Sequence, residues 1–213
     1  MKPRQMDPFA TQPPAFPATE YRLVLRAHES LWDEVRAVQA AFARRYKAAA
    51  PVKTRPFIPL VRFHGFNMAQ GRLLRELRAL LSRERPFSVT LEGFGSLPTH
   101  TIHIPVSSLV SIGELEARLK KLKPLMRIPE KDPHFIEDPC LVIAQKLPPG
   151  QYEKAWMEFS KAHFRGVFVA DQLLLLCRPA GQFKASFSPL AAFPLEAKSR
   201  METCPNSLFE KIP

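Results

Sequence analysis

Cysteine is scarce in this chain. Three residues in 213, Cys140, Cys177 and Cys204, form an odd set with no Cys-x-x-Cys pair and no histidine at zinc-ligand spacing. That pattern argues against a disulfide framework or a zinc module, and predicts a reducing, cytoplasmic setting with no bound metal and no cofactor. Long apolar runs are absent as well. The longest, near Val167 to Cys177, is broken by Asp171 and Gln172 and falls short of the ~20 residues that cross a bilayer, so no membrane span is expected. The first residues lack the continuous apolar stretch of a secretory leader, because Pro3, Pro8, Pro13, Pro14 and Pro17 interrupt them and Arg4 and Asp7 are charged. Acidic residues are outnumbered: 20 Asp plus Glu stand against 31 Lys plus Arg, a formal charge of +11. Residues 1–99 hold 16 basic and 8 acidic side chains, so most of the excess lies in the first half. Such a surface favours anionic partners, nucleic acid or nucleotides among them.

What is present is enough apolar residue, 46%, for one good-sized domain or two intimately packed lobes. Residues 1–19 read as a loose, proline-rich arm, 20–187 as the folded domain and 188–213 as a proline-spaced, irregular tail. Tyr21 to Ala27 alternates as a strand. Ser30 is placed to cap a helix whose apolar face is Leu31, Val35, Val38, Phe42 and Tyr46. A second strand fits Phe57 to Phe63. Asn67 with Gln70 forms a capping box for a helix with Leu73, Leu74, Leu77, Leu80 and Leu81 on one side, and Ser111 with Glu114 forms another for a helix carrying Leu115, Leu119 and Leu122. Alternation then marks strands at Phe87–Leu91, Ile102–Val106, Leu141–Lys146, Val167–Ala170, Leu173–Arg178 and Phe183–Phe187. Pro149 opens the last helix, on which Tyr152, Trp156, Phe159 and His163 share a face. A strand–helix unit appears in each half. The expectation is an α+β fold of two pseudo-symmetric lobes, mainly antiparallel sheet with helices outside and a groove between them.

An internal echo supports that pairing. Arg55-Pro56-Phe57-Ile58-Pro59-Leu60-Val61 resembles Asp138-Pro139-Cys140-Leu141-Val142-Ile143-Ala144: proline, then a strand alternating apolar residues. The order continues through Gly93-Phe94-Gly95-Ser96, Pro98-Thr99-His100-Thr101-Ile102, Pro133-His134-Phe135-Ile136, Lys146-Leu147, Gln151 to Trp156 and His163-Phe164-Arg165-Gly166. Taken together, over about residues 20 to 180, the series resembles the 2H phosphoesterase superfamily, in particular its bacterial 2'-5' RNA ligase-like branch. That family carries Pro-His-x-Thr-apolar twice. The resemblance implies two strands that each deliver an imidazole and a hydroxyl at i and i+2 to one groove. One histidine then serves as general base and the other as general acid on a phosphodiester, with the hydroxyls on the phosphate oxygens and no metal.

In this chain the family positions read Phe57 and Pro59 in the first motif and Cys140 and Val142 in the second. Phenylalanine, proline and valine transfer no proton, and a thiol of ordinary pKa, about 8.5, has no evident activating partner here. No catalytic residue is therefore expected. On regular parity His64 points to the strand face opposite Phe57. His103 falls on the polar side of a strand whose Ile102 and Ile104 face the core, where a solvated or capping role is the default and a replacement catalytic role the alternative. Lys146, at i+6 from Cys140, keeps the parity of the motif, and Arg165 follows the last helix, so both are candidates to bind an anion. Arg72, Arg75 and Arg78 recur opposite the leucine face, spaced to follow a phosphate backbone or simply to face solvent. The preferred reading is a 2H phosphoesterase-like protein without the catalytic histidines that binds RNA or a nucleotide without cleaving it. Two alternatives stand beside it: an active 2',3'-cyclic phosphodiesterase or RNA ligase using replacement residues, and a scaffold whose groove the bulky Phe57 occludes.

Overall fold

A computed structural model describes residues 17–47, 57–182 and 184–196. The chain runs β1 (Ala18–Arg26), α1 (Glu29–Tyr46), β2 (Phe57–Phe66), a 3-10 turn at Asn67–Ala69, α2 (Gln70–Leu81), β3 (Phe87–Glu92), β4 (Gly95–Leu97) and β5 (Thr101–Pro105). It continues through α3 (Leu109–Leu119), a 3-10 segment at Lys120–Leu125, β6 (His134–Phe135), β7 (Cys140–Ala144), α4 (Pro149–Phe159), β8 (Arg165–Ala170), β9 (Gln172–Pro179) and β10 (Ser188–Pro194). One lobe is a five-stranded sheet in the order β10-β9-β1-β2-β6. The other comprises the β3-β8 pair and the β4-β5-β7 sheet, tied by a bridge between Leu91 and Val106. Every strand pair is antiparallel.

The helices form where the leucine pattern places an apolar stripe. α2 buries Leu73, Leu77 and Leu81, and α1 buries Leu31, Val35 and Phe42. These residues join Tyr21, Leu23 and Leu25 of β1 and Ile58, Val61 and Phe63 of β2 in one core, with Tyr21 stacked on its cross-strand partner Phe63 at 5.1 Å. At roughly 25 cal/mol per Å2 of apolar surface, each such leucine contributes about 2 kcal/mol.

Helix starts differ from the capping expectations. α1 begins one residue before Ser30, with His28 at the cap position and its ring 3.4 Å from the Ser30 hydroxyl. The Asn67 carboxamide is not free to cap α2, because its Oδ1 accepts from the Thr19 hydroxyl at 2.7 Å. α3 starts at Leu109, ahead of Ser111, and Ser108 spends its hydroxyl on the Thr90 N–H.

The strands at the two ends of the fold differ from expectation as well. β1 begins at Ala18, inside the stretch read as an arm. No strand lies at 184–187; Phe183 is outside the described residues. The segment from Ser188, expected to be irregular, is instead strand β10, which buries Phe193 and pairs with β9. Pro189 and Pro194 fit because β10 is an edge strand, where a missing N–H costs no ladder bond, and the register slips between Pro189 and Ala191. No helix among the described residues is long and apolar enough to cross a membrane.

Candidate functional site

Both motif strands are where the echo predicts them, β2 and β7. They are not hydrogen-bonded neighbours in one sheet: β2 is interior to the five-stranded sheet and β7 lies at the edge of the three-stranded one. The two strands nevertheless pack against each other.

Phe57 and Pro59 stand half-buried on one face of β2, opposite Arg26 and Val24 of β1. Proline has no N–H to give the ladder, and inside a sheet it is tolerated at a bulge. The bulge follows at once: Val24 pairs with Pro59 and Leu23 with Val61, so Leu60 is unmatched. Leu60 and Val61 are both fully buried, and the alternation changes phase between them. Beyond the bulge Arg62 and His64 share the face of Phe57 and Pro59. This corrects the regular-parity placement of His64, which an extra residue in the strand reverses.

Cys140 opens β7, and Val142 follows at the same parity. Burial, and after it the negative charge of Asp138, push the Cys140 thiol up to about 11. A thiol so placed is neutral at physiological pH and is neither nucleophile nor base there. Val142, 36% exposed, is held from behind by Gln39 of α1, whose amide donates to its carbonyl at 2.9 Å.

His103 is not the solvated side chain that the sequence reading favours. It sits directly opposite Val142, so Cys140, Val142 and His103 share a face, and it is only 8% exposed. Its ring occupies the space over Gly95: a Cβ there would lie 2.5 Å from Nε2, which is why a residue without a side chain stands opposite it. Nδ1 is buried without a hydrogen-bond partner. Burial holds this imidazole below its ordinary pKa against the opposing pull of Asp138.

The remaining candidates are dispersed. Lys146 is not on the strand, since β7 ends at Ala144; it is exposed in a left-handed conformation at φ 55°. The parity extrapolated to it therefore does not apply. Arg165 begins β8, exposed and opposite Glu92. Arg72, Arg75 and Arg78 are exposed on α2, whose leucines enter the core from the Tyr21 and Leu23 side of the sheet, so the stripe and the Phe57 face lie on opposite sides of β1 and β2. Among the described residues no three His, Cys, Asp or Glu side chains gather closely enough to hold a metal ion.

No family model matches the sequence, and no curated protein does. Solved structures do. A protein of Thermus thermophilus superposes with a TM-score of 0.59 at 17% identity, over 84% of this chain and all of that one. LigT of E. coli, crystallised with 3'-AMP, gives a TM-score of 0.54 at 10% identity over 84% of this chain and 98% of that one.

The chain has the LigT fold.

A structure described as a phosphoesterase agrees, at TM-score 0.55 and 14% identity, with 84% of this chain and 99% of that one covered. LigT has also been crystallised with NADP+, phosphate and ATP. The LigT-like architecture accounts for the two-lobed arrangement expected from the echo. What the sequence reading misses is the content of the β2 face beyond Pro59. The signal is in the sequence, a proline inside an otherwise unbroken strand pattern, which calls for a bulge and hence for a change of parity.

Proposed function

We propose that this protein binds RNA or a nucleotide on its LigT-like scaffold without cleaving or joining phosphodiester bonds. One observation carries the reading: the side chains at the paired motif positions, Phe57, Pro59, Cys140 and Val142, include no group that exchanges a proton near neutral pH, the thiol standing at about 11. General acid–base catalysis contributes on the order of 10² to 10⁴ in rate, and both partners of the pair are missing. Binding is supported by the charge of +11 and by the ligands found in crystals of LigT, nucleotides and phosphate. A cytoplasmic location accords with the free thiols Cys140 and Cys177.

The alternative enzyme reading has one observation in its favour, the buried His103 beside Val142 on the face of Cys140. Burial favours its neutral, proton-accepting form, but the thiol beside it on that face, Cys140 at about 11, is too weak an acid to serve as the partner near neutral pH.

The test is a binding isotherm for a single-stranded oligoribonucleotide at a series of salt concentrations, with heparin measured alongside. Affinity for RNA falls with salt at a slope of roughly −0.7 per phosphate contacted. Equal affinity and equal slope for heparin, or no RNA binding at low salt, would instead favour the scaffold reading.

A further inference from the structure

Past the bulge the strands assemble a cationic shelf. Arg22 of β1 stands directly opposite Arg62 of β2, which in turn stands opposite His134 of β6. One row further, Arg178 of β9 is opposite Glu20, and Glu20 opposite His64. Residues opposite one another in an antiparallel ladder share a face, so both rows continue the face of Phe57 and Pro59. The first begins two residues along β1 from the Val24–Pro59 pair, about 7 Å away.

Like charges directly opposite one another destabilise a sheet, and little among the described residues offsets this pair. Glu20 is the one acidic residue of the two rows. Its Oε2 is taken by Arg178, at 2.8 Å from Nε and 2.7 Å from a terminal nitrogen, while its other oxygen lies 3.8 Å from Arg22. Arg62 makes no ion pair among the described residues and is exposed. Nε of Arg22 is buried with no hydrogen-bond partner. The Phe187 ring supports two of the guanidiniums, Arg22 at 4.0 Å and Arg178 at 4.5 Å, which limits their freedom to swing apart. Burial first, and then Arg62 and Arg178, lower the Arg22 pKa against the pull of Glu20. His64 is lowered by burial, then by Lys131 and Arg178, with Glu20 opposing.

We propose that Arg22 and Arg62, with His64 at the rim and the Glu20-paired Arg178 alongside, form a phosphate-binding shelf beside the motif positions. The guanidinium fork matches the geometry of phosphate oxygens, and an anion seated there supplies the missing counter-charge. The site is separate from the four motif residues; it rests on the proposed function only in taking its phosphate from a nucleotide or an RNA strand.

The experiment measures the affinity of the full chain for pyrophosphate and for a single-stranded decaribonucleotide by calorimetry, in wild type, R62Q, R22Q and R62K. Arg62 is exposed, so R62Q is expected to fold, and R22Q provides a second, independent reading. Pyrophosphate affinity falls ten-fold or more in R62Q and in R22Q and less in R62K, which keeps the charge but loses the fork. Pyrophosphate binding that is undetectable in wild type, or equal in wild type and R62Q, overturns the shelf. If the decaribonucleotide still binds in that case, the proposed function stands without it. Pyrophosphate binding that depends on Arg62 with no RNA binding keeps the shelf and removes RNA as its ligand.

Discussion

At Gly95 and His103 the side chain of one residue exists at the expense of the other. Because a Cβ at position 95 would come 2.5 Å from Nε2 and 2.8 Å from Cε1 of a buried ring, Gly95→Ala is expected to destabilise by about 1–3 kcal/mol. In a His103→Ala background most of that cost disappears, and a double-mutant cycle by chemical denaturation reads the coupling. Equal costs in both backgrounds would show that the ring does not fill that space. Glu116 of α3 presents a second buried polar group: its side chain is 8% exposed, Oε1 has no hydrogen-bond partner, and burial raises its pKa, with Lys120 opposing and Glu137 adding to the rise. The folded state therefore prefers the protonated acid. Its stabilising contribution is fully present below the unfolded carboxyl pKa and is lost as pH rises through the folded one. Glu116→Gln should accordingly be more stable than wild type at pH 8, with the difference shrinking toward pH 4, as followed by thermal melts across that range.

Among the elements, those with a long periodic apolar face are legible in the sequence: the leucines of α2 and the 31, 35, 42 stripe of α1 enter the core as their spacing requires. β4 and β6, of three and two residues, carry too little alternation to be read and exist because a neighbouring strand offers its edge. β10 is hidden by its prolines. Its membership of the sheet rests on Phe193, 1% exposed, so Phe193→Ala is expected to cost about 3–5 kcal/mol, measured by denaturant unfolding. A cost below about 1 kcal/mol would mean that the strand is not part of the cooperative unit. Within β2 the bulge at Leu60 decides what the sequence can disclose. Phe57 and Pro59 fall on the correct strand, yet regular parity carries His64 to the wrong face, because a single unmatched residue inverts the period of two. The buried setting of His103 is also out of reach, since it depends on Gly95 across a hairpin and on Val142 from a distant strand.

For the whole molecule, the formal charge is +11, and two of its arginine groups, the stripe on the outside of α2 and the proposed shelf, lie on opposite sides of the sheet. Long-range attraction to a polyanion acts on both. Arg72→Glu with Arg75→Glu is expected to weaken RNA binding at low salt and flatten its salt slope, in titrations run from low to physiological ionic strength. Unchanged affinity would show that the α2 stripe takes no part in the attraction. The central claim, a LigT-like scaffold without phosphodiester chemistry, is tested most directly by turnover of a 2',3'-cyclic nucleotide by wild type, Phe57→Ala/Cys140→Ala and His103→Ala. The account predicts no hydrolysis above buffer in any of the three. Turnover by wild type that survives Phe57→Ala/Cys140→Ala and vanishes with His103→Ala would contradict it and make His103 the base of an active enzyme.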